Sequence, residues 1–354
     1  MVFRGHEGIR TCRRRNRPRC WSWTISVPQH GQFRLAELAA VGIYRRTMEL
    51  PRKHHFKPVF FLSRWAGKDG QLCEMKLIKG KVVPRRRHPA GTGYIKDLYR
   101  TDGVPEEQSQ DLETNFMSPL DNDAANALGK IASNQLLDVG DRVAWARFML
   151  SLLYRNRECV ETIKTHMTEM WGEGTDALEK EWAARRGPND PVTFAEATAL
   201  REPAAAAMSA ANMMTDIIAN SRAVPDIAGM HWMRIDLSAS KVPLLTSDRP
   251  LVFIALEDPK AYMALPIGPQ DLFVAARDDR LLIALAAGDP TAIARQLNKD
   301  VVSLARQFVW GIDDAQLDLV RDNIGSAPDR VIITAAQRGE AIAAARGWQP
   351  AEVG

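Results

Sequence analysis

Cysteine is scarce in this chain. Cys12, Cys20, Cys73 and Cys159 are scattered through 354 positions, with no C-x-x-C pair and no His/Cys cluster at zinc spacing. That argues against a structural zinc site and against a disulfide framework, and makes a reducing cytoplasm the expected location. Long apolar runs are also missing. The best candidates, 281–287 and 204–214, fall short of the roughly 20 residues that cross a bilayer, so both read as core. The N-terminus has arginines but no apolar segment of the secretory kind. No Gly-rich phosphate loop, G-x-S-x-G elbow, H-E-x-x-H pair or dinucleotide fingerprint occurs, so no local motif names a reaction.

Lysine is absent from residues 1–47, where ten Arg and two Glu give a net charge of +8. Residues 48–100 have thirteen Lys/Arg against four Asp/Glu, a net of +9, which leaves −13 on the rest of a chain whose total is +4. A basic front is therefore joined to an acidic body, and the overall pI describes neither. Two readings of 1–47 compete: a basic arm for nucleic acid or an anionic surface, and a poorly ordered leader upstream of a true start at Met48. The second is preferred, with little packed structure expected except a helix near Arg34 to Tyr44. Intact mass of the natively expressed protein tests it, and a mass beginning at residue 1 would rule it out.

The body, with 45% hydrophobic and 25% charged residues, has an ordinary globular composition and is long enough to bury a core. Residues 48–330 are read as one domain and 331–354 as a tail. Cys73 to Ile78 alternates with period two, Lys79-Gly80-Lys81 supplies a turn and Val82-Val83 resumes, which predicts a hairpin with glycine at its tip. Helices are predicted from about Pro105 to Arg222: one capped by Thr101 or Asp102 and opened by Pro105-Glu106-Glu107, one preceded by Asp141 with apolar positions from Val143 to Leu153, and one over 204–220. Gly172-Glu173-Gly174 and 187–191 are read as breaks. Strands return at 231–237, 243–246, 251–255, 272–274 and 281–283. A helix over 290–304 and a strand at 308–310 follow. Strands, then helices, then strands imply an α+β fold: an N-terminal β-hairpin region, a helical middle and a C-terminal antiparallel sheet with flanking helices.

The densest chemistry lies in Lys53 to Ala66, with two imidazoles, a proline, four aromatics and an arginine. Its core reads His55-Phe56-Lys57-Pro58-Val59-Phe60-Phe61-Leu62-Ser63-Arg64-Trp65. Lys96-Asp97-Leu98-Tyr99, Leu112-Glu113, Phe148 to Asn156, Thr246-Ser247-Asp248-Arg249-Pro250, Leu265-Pro266-Ile267-Gly268-Pro269 and Leu297-Asn298 follow in order. This arrangement resembles the bacterial domain-of-unknown-function family 4238, over about Leu50 to Asn323. It departs from the family's first element by inserting Ser63 between Leu62 and the arginine. The resemblance implies fold and boundaries, supports Met48 as the start, and assigns no reaction.

Four residues are candidates for chemistry. His54 and His55 have near-neutral free pKa values and suit a general base or metal ligand; alternation along a strand lets at most one face a site. Asp248 stands at a strand end, where a carboxylate is aimed rigidly, although an Asx-type turn is the plainer reading. Glu113 is the fourth. Arg64, Lys96, Arg155 and Arg249 are candidate substrate-binding cations, although pairing to acids of the body is the plainer reading of Arg155 and a surface charge the alternative for Arg249. Clustered carboxylates with a Lys or His would suit a phosphodiesterase using Mg²⁺ or Mn²⁺, but no spacing ties these residues together. The basic 68–100 region, interleaved with Tyr94 and Tyr99, suits nucleic acid as partner. The expected function is nucleic-acid binding or metal-dependent cleavage, with the His pair, Asp248 and Glu113 converging on one cleft. A non-catalytic interaction protein and a hydrolase of a small phosphorylated substrate stand as alternatives.

Overall fold

The computed structural model describes residues 50–194, 196–197 and 204–328. The expectations for the 1–47 leader, its helix near Arg34 to Tyr44 and the 331–354 tail lie outside the described residues. In chain order the elements are β1 (Lys53–His55), α1 (Val59–Leu62), β2 (Leu72–Ile78), β3 (Lys81–Arg87) and β4 (Tyr94–Lys96). A π-helical segment, Leu112–Met117, then runs into α2 (Ser118–Ala132), followed by α3 (Val139–Tyr154), α4 (Arg157–Arg185), α5 (Ala205–Thr215) and α6 (Ala223–Gly229). The C-terminal part holds β5 (His231–Asp236), β6 (Thr246–Ser247), β7 (Val252–Phe253), β8 (Tyr262–Pro266), β9 (Asp271–Ala276), α7 (Asp279–Ala286), α8 (Pro290–Leu304), β10 (Phe308–Gly311) and α9 (Leu317–Asn323). The fold is α+β, with three antiparallel sheets among the described residues, ordered β1-β4, β3-β2-β10-β6 and β5-β9-β8-β7.

The predicted hairpin forms at the predicted place. Lys79 and Gly80 both have positive φ, +48° and +77°, which is the backbone a two-residue loop between twisted strands needs. The strand at Phe308 inserts between β2 and β6, so the N- and C-terminal strand regions share one sheet. Behind it, Met75, Val309, Val302 and Val320 form one core, while Ile235, Val274, Leu282 and Val301 form another under the last sheet. Neighbouring residues of α8, Val301 and Val302, thus serve different cores. A ladder of rings connects the early segment to the last sheet: Trp65–Phe61–Phe148–Trp145–Phe273–Trp232, with successive centroids 5.0–5.6 Å apart.

Several local expectations are corrected. Helix α3 starts earlier than expected, because Asp138 is its cap. Asp141 is the third helical residue, returning a bond to the Asp138 amide in a reciprocal capping box. Asp141 also binds Lys130 at 2.7 Å, tying α2 to α3. Pro105-Glu106-Glu107 opens only a 3₁₀ turn over Glu106–Gln108, without a side-chain cap. Helix α4 runs through Gly172 and Gly174; each glycine costs about 1 kcal/mol relative to alanine, which the buried face Cys159, Val160, Ile163 and Met167 overrides. Leu281 to Ile283 is helical rather than extended, since Asp278 accepts from the Arg280 amide and starts α7 there.

Candidate functional site

Strand β1 places the two histidines differently. Its pairing with β4 sets His54 opposite Ile95 and His55 opposite Tyr94, and alternation turns the two rings to opposite faces. His54 is fully buried, stacked on Tyr99 with centroids 5.3 Å apart. Its Nδ1 accepts the Tyr99 amide at 2.8 Å, and its Nε2 lies 3.0 Å from the Pro51 carbonyl. Those two partners fix the neutral Nε2–H tautomer, and burial lowers its pKa. His55 is half-buried, tilted against Tyr94 at 5.5 Å, with burial again lowering its pKa. Its Nε2 has no hydrogen-bond partner.

Arg155 closes α3 and is buried to 1% exposure. Asp121 of α2 grips it with both oxygens, at 2.7 and 2.9 Å, and its Nη2 donates to the His55 carbonyl at 2.8 Å. The Tyr99 hydroxyl donates to the Arg155 carbonyl at 2.9 Å. Burial works against this charge, but Asp121 holds the guanidinium pKa above its ordinary value. Burial also raises the Tyr99 phenol. Glu113 stands in the π-helical turn and faces the same cluster, within electrostatic reach of Arg155 and Asp121. Burial pushes its carboxyl up to about 7, and one oxygen has no partner. A carboxyl poised there can take or give a proton near neutral pH. π-turns recur at functional positions, a signal the helical periodicity does not reveal.

His55, Glu113 and Arg155 therefore lie around one buried polar cluster, which His54, on the other face, reaches only through Tyr99. The expectation that Asp248 joins them is corrected by its main-chain bonds. Its two oxygens accept the amides of Arg306, Gln307 and Phe308 at 3.0, 2.7 and 3.1 Å. It thereby shapes the turn between α8 and β10; burial pushes its pKa up, against the pull of those donors. Arg249 pairs with Glu158 at 3.6 Å. Arg64 binds Asp271 at 3.0 Å and the Ile267 carbonyl, joining the early segment to the last sheet. Lys96 is exposed on β4. Among the described residues, no three His, Cys, Asp or Glu side chains stand together in a way that could hold a metal ion.

Sequence reasoning passed over Lys57. It is fully buried, its Nζ 4.8 Å from the Phe61 ring centre and without a hydrogen-bond acceptor. Burial drives its pKa well below the usual lysine value, Asp248 opposing and Arg155 reinforcing the shift. The pattern H-x-x-P carries no signal for this, because lysine is usually a surface residue.

A family model described as Protein of unknown function (DUF4238) matches residues 53–315, and the chain belongs to that family. No curated protein and no solved structure matches it.

Two measurements probe the site. Asp248→Ala should lower stability by about 3 kcal/mol, since three amides lose their acceptor, and should not lower the ligand affinity of the folded protein; lost affinity at unchanged Tm would return Asp248 to a ligand site. For Glu113 the folded-state pKa lies above the unfolded value of 4.5. The native state therefore holds the extra proton between pH 4.5 and about 7, and stability falls as pH rises through that window. Glu113→Gln should be neutral at pH 4.5 and more stable than wild type by about 2 kcal/mol at pH 8. A difference in Tm that does not vary with pH would contradict this.

Proposed function

We propose, taking membership of this family as the premise for fold and boundaries alone, that the protein binds nucleic acid through the outer face and free edge of the β2–β3 hairpin. The placement of cations on β3 carries this reading. Alternation puts Lys81, Val83, Arg85 and Arg87 on one face, opposite Ile78, Lys76 and the buried Glu74 and Leu72 of β2 in the observed register. Lys81, Arg85 and Arg87 are exposed and form no ion pair among the described residues, as is true of Lys79 at the tip. Arg86 points the other way, where Asp69 holds it at 2.7 Å. The exposed cations of this strip are thus the ones without an ion pair among the described residues, although Glu74 stands across from Arg85. Lys76 lies 4.5 Å from the ring centre of Phe308 on β10, adding an aromatic surface beside the charges. Phosphate neutralisation by such a strip is tolerant of sequence and sensitive to salt.

This reading is a binding one. It does not extend to cleavage with Mg²⁺ or Mn²⁺, because Asp248 and His54 are occupied by backbone partners. We place the protein in the bacterial cytoplasm, a reading supported by the unpaired, buried thiols of Cys73 and Cys159. The triple variant Lys81→Ala/Arg85→Ala/Arg87→Ala should fold normally and lose at least about tenfold in affinity for DNA or RNA at 0.1 M salt. The slope of log K against log salt should also flatten by about two to three units for a duplex. Unchanged affinity and slope would remove the hairpin from the interface.

A further inference from the structure

The interior beneath the first sheet holds hydrogen-bonding groups that the fold leaves unmatched. Lys57 extends from the turn after β1, held by its amide to the Gly93 carbonyl at 3.0 Å. A Cβ on Gly93, whose φ is +67°, would stand 3.0 Å from Lys57 Cβ, so the backbone there approaches as closely as glycine allows. The adjacent residue, Thr92, accepts from Trp310 Nε1 at 2.9 Å and donates to buried Glu74. Trp310 is in turn paired in register with Thr246. Thr246 lies two residues before Asp248, which follows the end of β6, and the Lys57 amine is within electrostatic reach of Asp248. Thr246 is fully buried and its hydroxyl has no partner. Arg155, which donates to the carbonyl of His55 two residues before Lys57, is also within electrostatic reach of Lys57, and its Nε donates to nothing.

Three buried groups able to donate, Lys57 Nζ, Thr246 Oγ1 and Arg155 Nε, are thus left without acceptors in one region. The two buried cations differ in their partners as well. Asp121 neutralises Arg155, whereas the carboxylate nearest to Lys57 in electrostatic terms is already bound by three amides. Unpaired buried donors and cations are costly, and native proteins normally satisfy them. Donors arriving from three separate segments suit an acceptor with several oxygens rather than a single carbonyl. We propose that Lys57, with Thr246 and Arg155 beside it, forms an internal site for a tetrahedral oxyanion, either free phosphate or sulfate or the phosphate group of a small molecule. The site is distinct from the exposed hairpin strip and does not depend on it.

Because burial favours the neutral amine, occupation by an oxyanion draws a proton onto Lys57, so binding strengthens as pH falls. Sulfate is the right probe, since it stays a dianion from pH 6 to 9. The experiment measures Tm of the full chain with 0–10 mM sulfate at constant ionic strength set by chloride, at pH 6 and pH 9. Wild type should gain about 2 °C or more at pH 6 and less at pH 9. Lys57→Met, which keeps length and apolar packing, should show no gain at either pH. Thr246→Val should reduce the gain several-fold while leaving Tm without sulfate close to wild type. A phosphomonoester such as glycerol phosphate, tested in parallel, distinguishes a free oxyanion from an esterified one: a gain only with inorganic anions assigns the free species. No sulfate-dependent gain in wild type, or an equal gain in Lys57→Met, overturns the proposal; the wild-type arm decides even if a variant does not fold.

Discussion

The Arg155 guanidinium is the interaction on which the rest of the fold depends. A charge buried this deeply survives only when its partners are close and well aimed, and losing one of them typically costs about 3–5 kcal/mol. Its partners come from far along the chain: Asp121 lies 34 residues away, Tyr99 56 and His55 100. Strand β1, the loop after β4, helix α2 and the corner between α3 and α4 are therefore fixed to one point. The corner itself is well made, since Asn156 caps α4 by accepting the Cys159 amide. Lys164, about two turns into α4, donates to the carbonyls of Leu98 and Arg100, holding the same loop.

A second constraint closes the chain. Strand β10 lies between β2, more than 200 residues earlier, and β6. Such pairing has a high loop-closure cost and must be held by more than its ladder bonds. Asp248 supplies part of that hold by gathering the three amides that lead into β10. Asn298 supplies another part. It is fully buried on α8, accepts the Leu245 amide at 2.8 Å and donates to the Pro243 carbonyl at 2.8 Å, which orders the approach to β6. The Thr-Ser-Asp and Leu-Asn motifs are thus two clamps on one sheet.

Much of this was legible in the residues. The hairpin at Lys79-Gly80, the helix at 290–304 and the strand–helix–strand order follow from periodicity and turn chemistry, which are local. Errors fell where long-range packing decides. Leu281 to Ile283 is apolar enough for a strand, and only the Asp278 cap makes it helical. Gly172 and Gly174 lie within a helix whose buried side outweighs them. At the candidate site, residue types drew attention to His54, His55, Glu113 and Arg155. They could not show that Asp248 would be consumed by amides or that Lys57 would be buried, since both depend on segments remote in sequence.

The paired histidines show why composition alone misleads about chemistry. Adjacent imidazoles suggest a doubled catalytic group, but the strand divides them between two faces. His54, with both nitrogens engaged by main chain, can change protonation only by breaking the contact that seats Tyr99, and Tyr99 in turn braces Arg155. Its burial favours the neutral ring, so acid loosens this chain of contacts, whereas the protonated carboxyl of Glu113 gains stability under the same conditions. Titratable groups of opposite tendency around one guanidinium keep the cluster's net charge low without an external counter-ion. Lys57 lies outside that balance. Buried cations are tolerated when their environment can neutralise them, by losing a proton or by gaining an anion, and the neighbouring unmatched donors favour the anion.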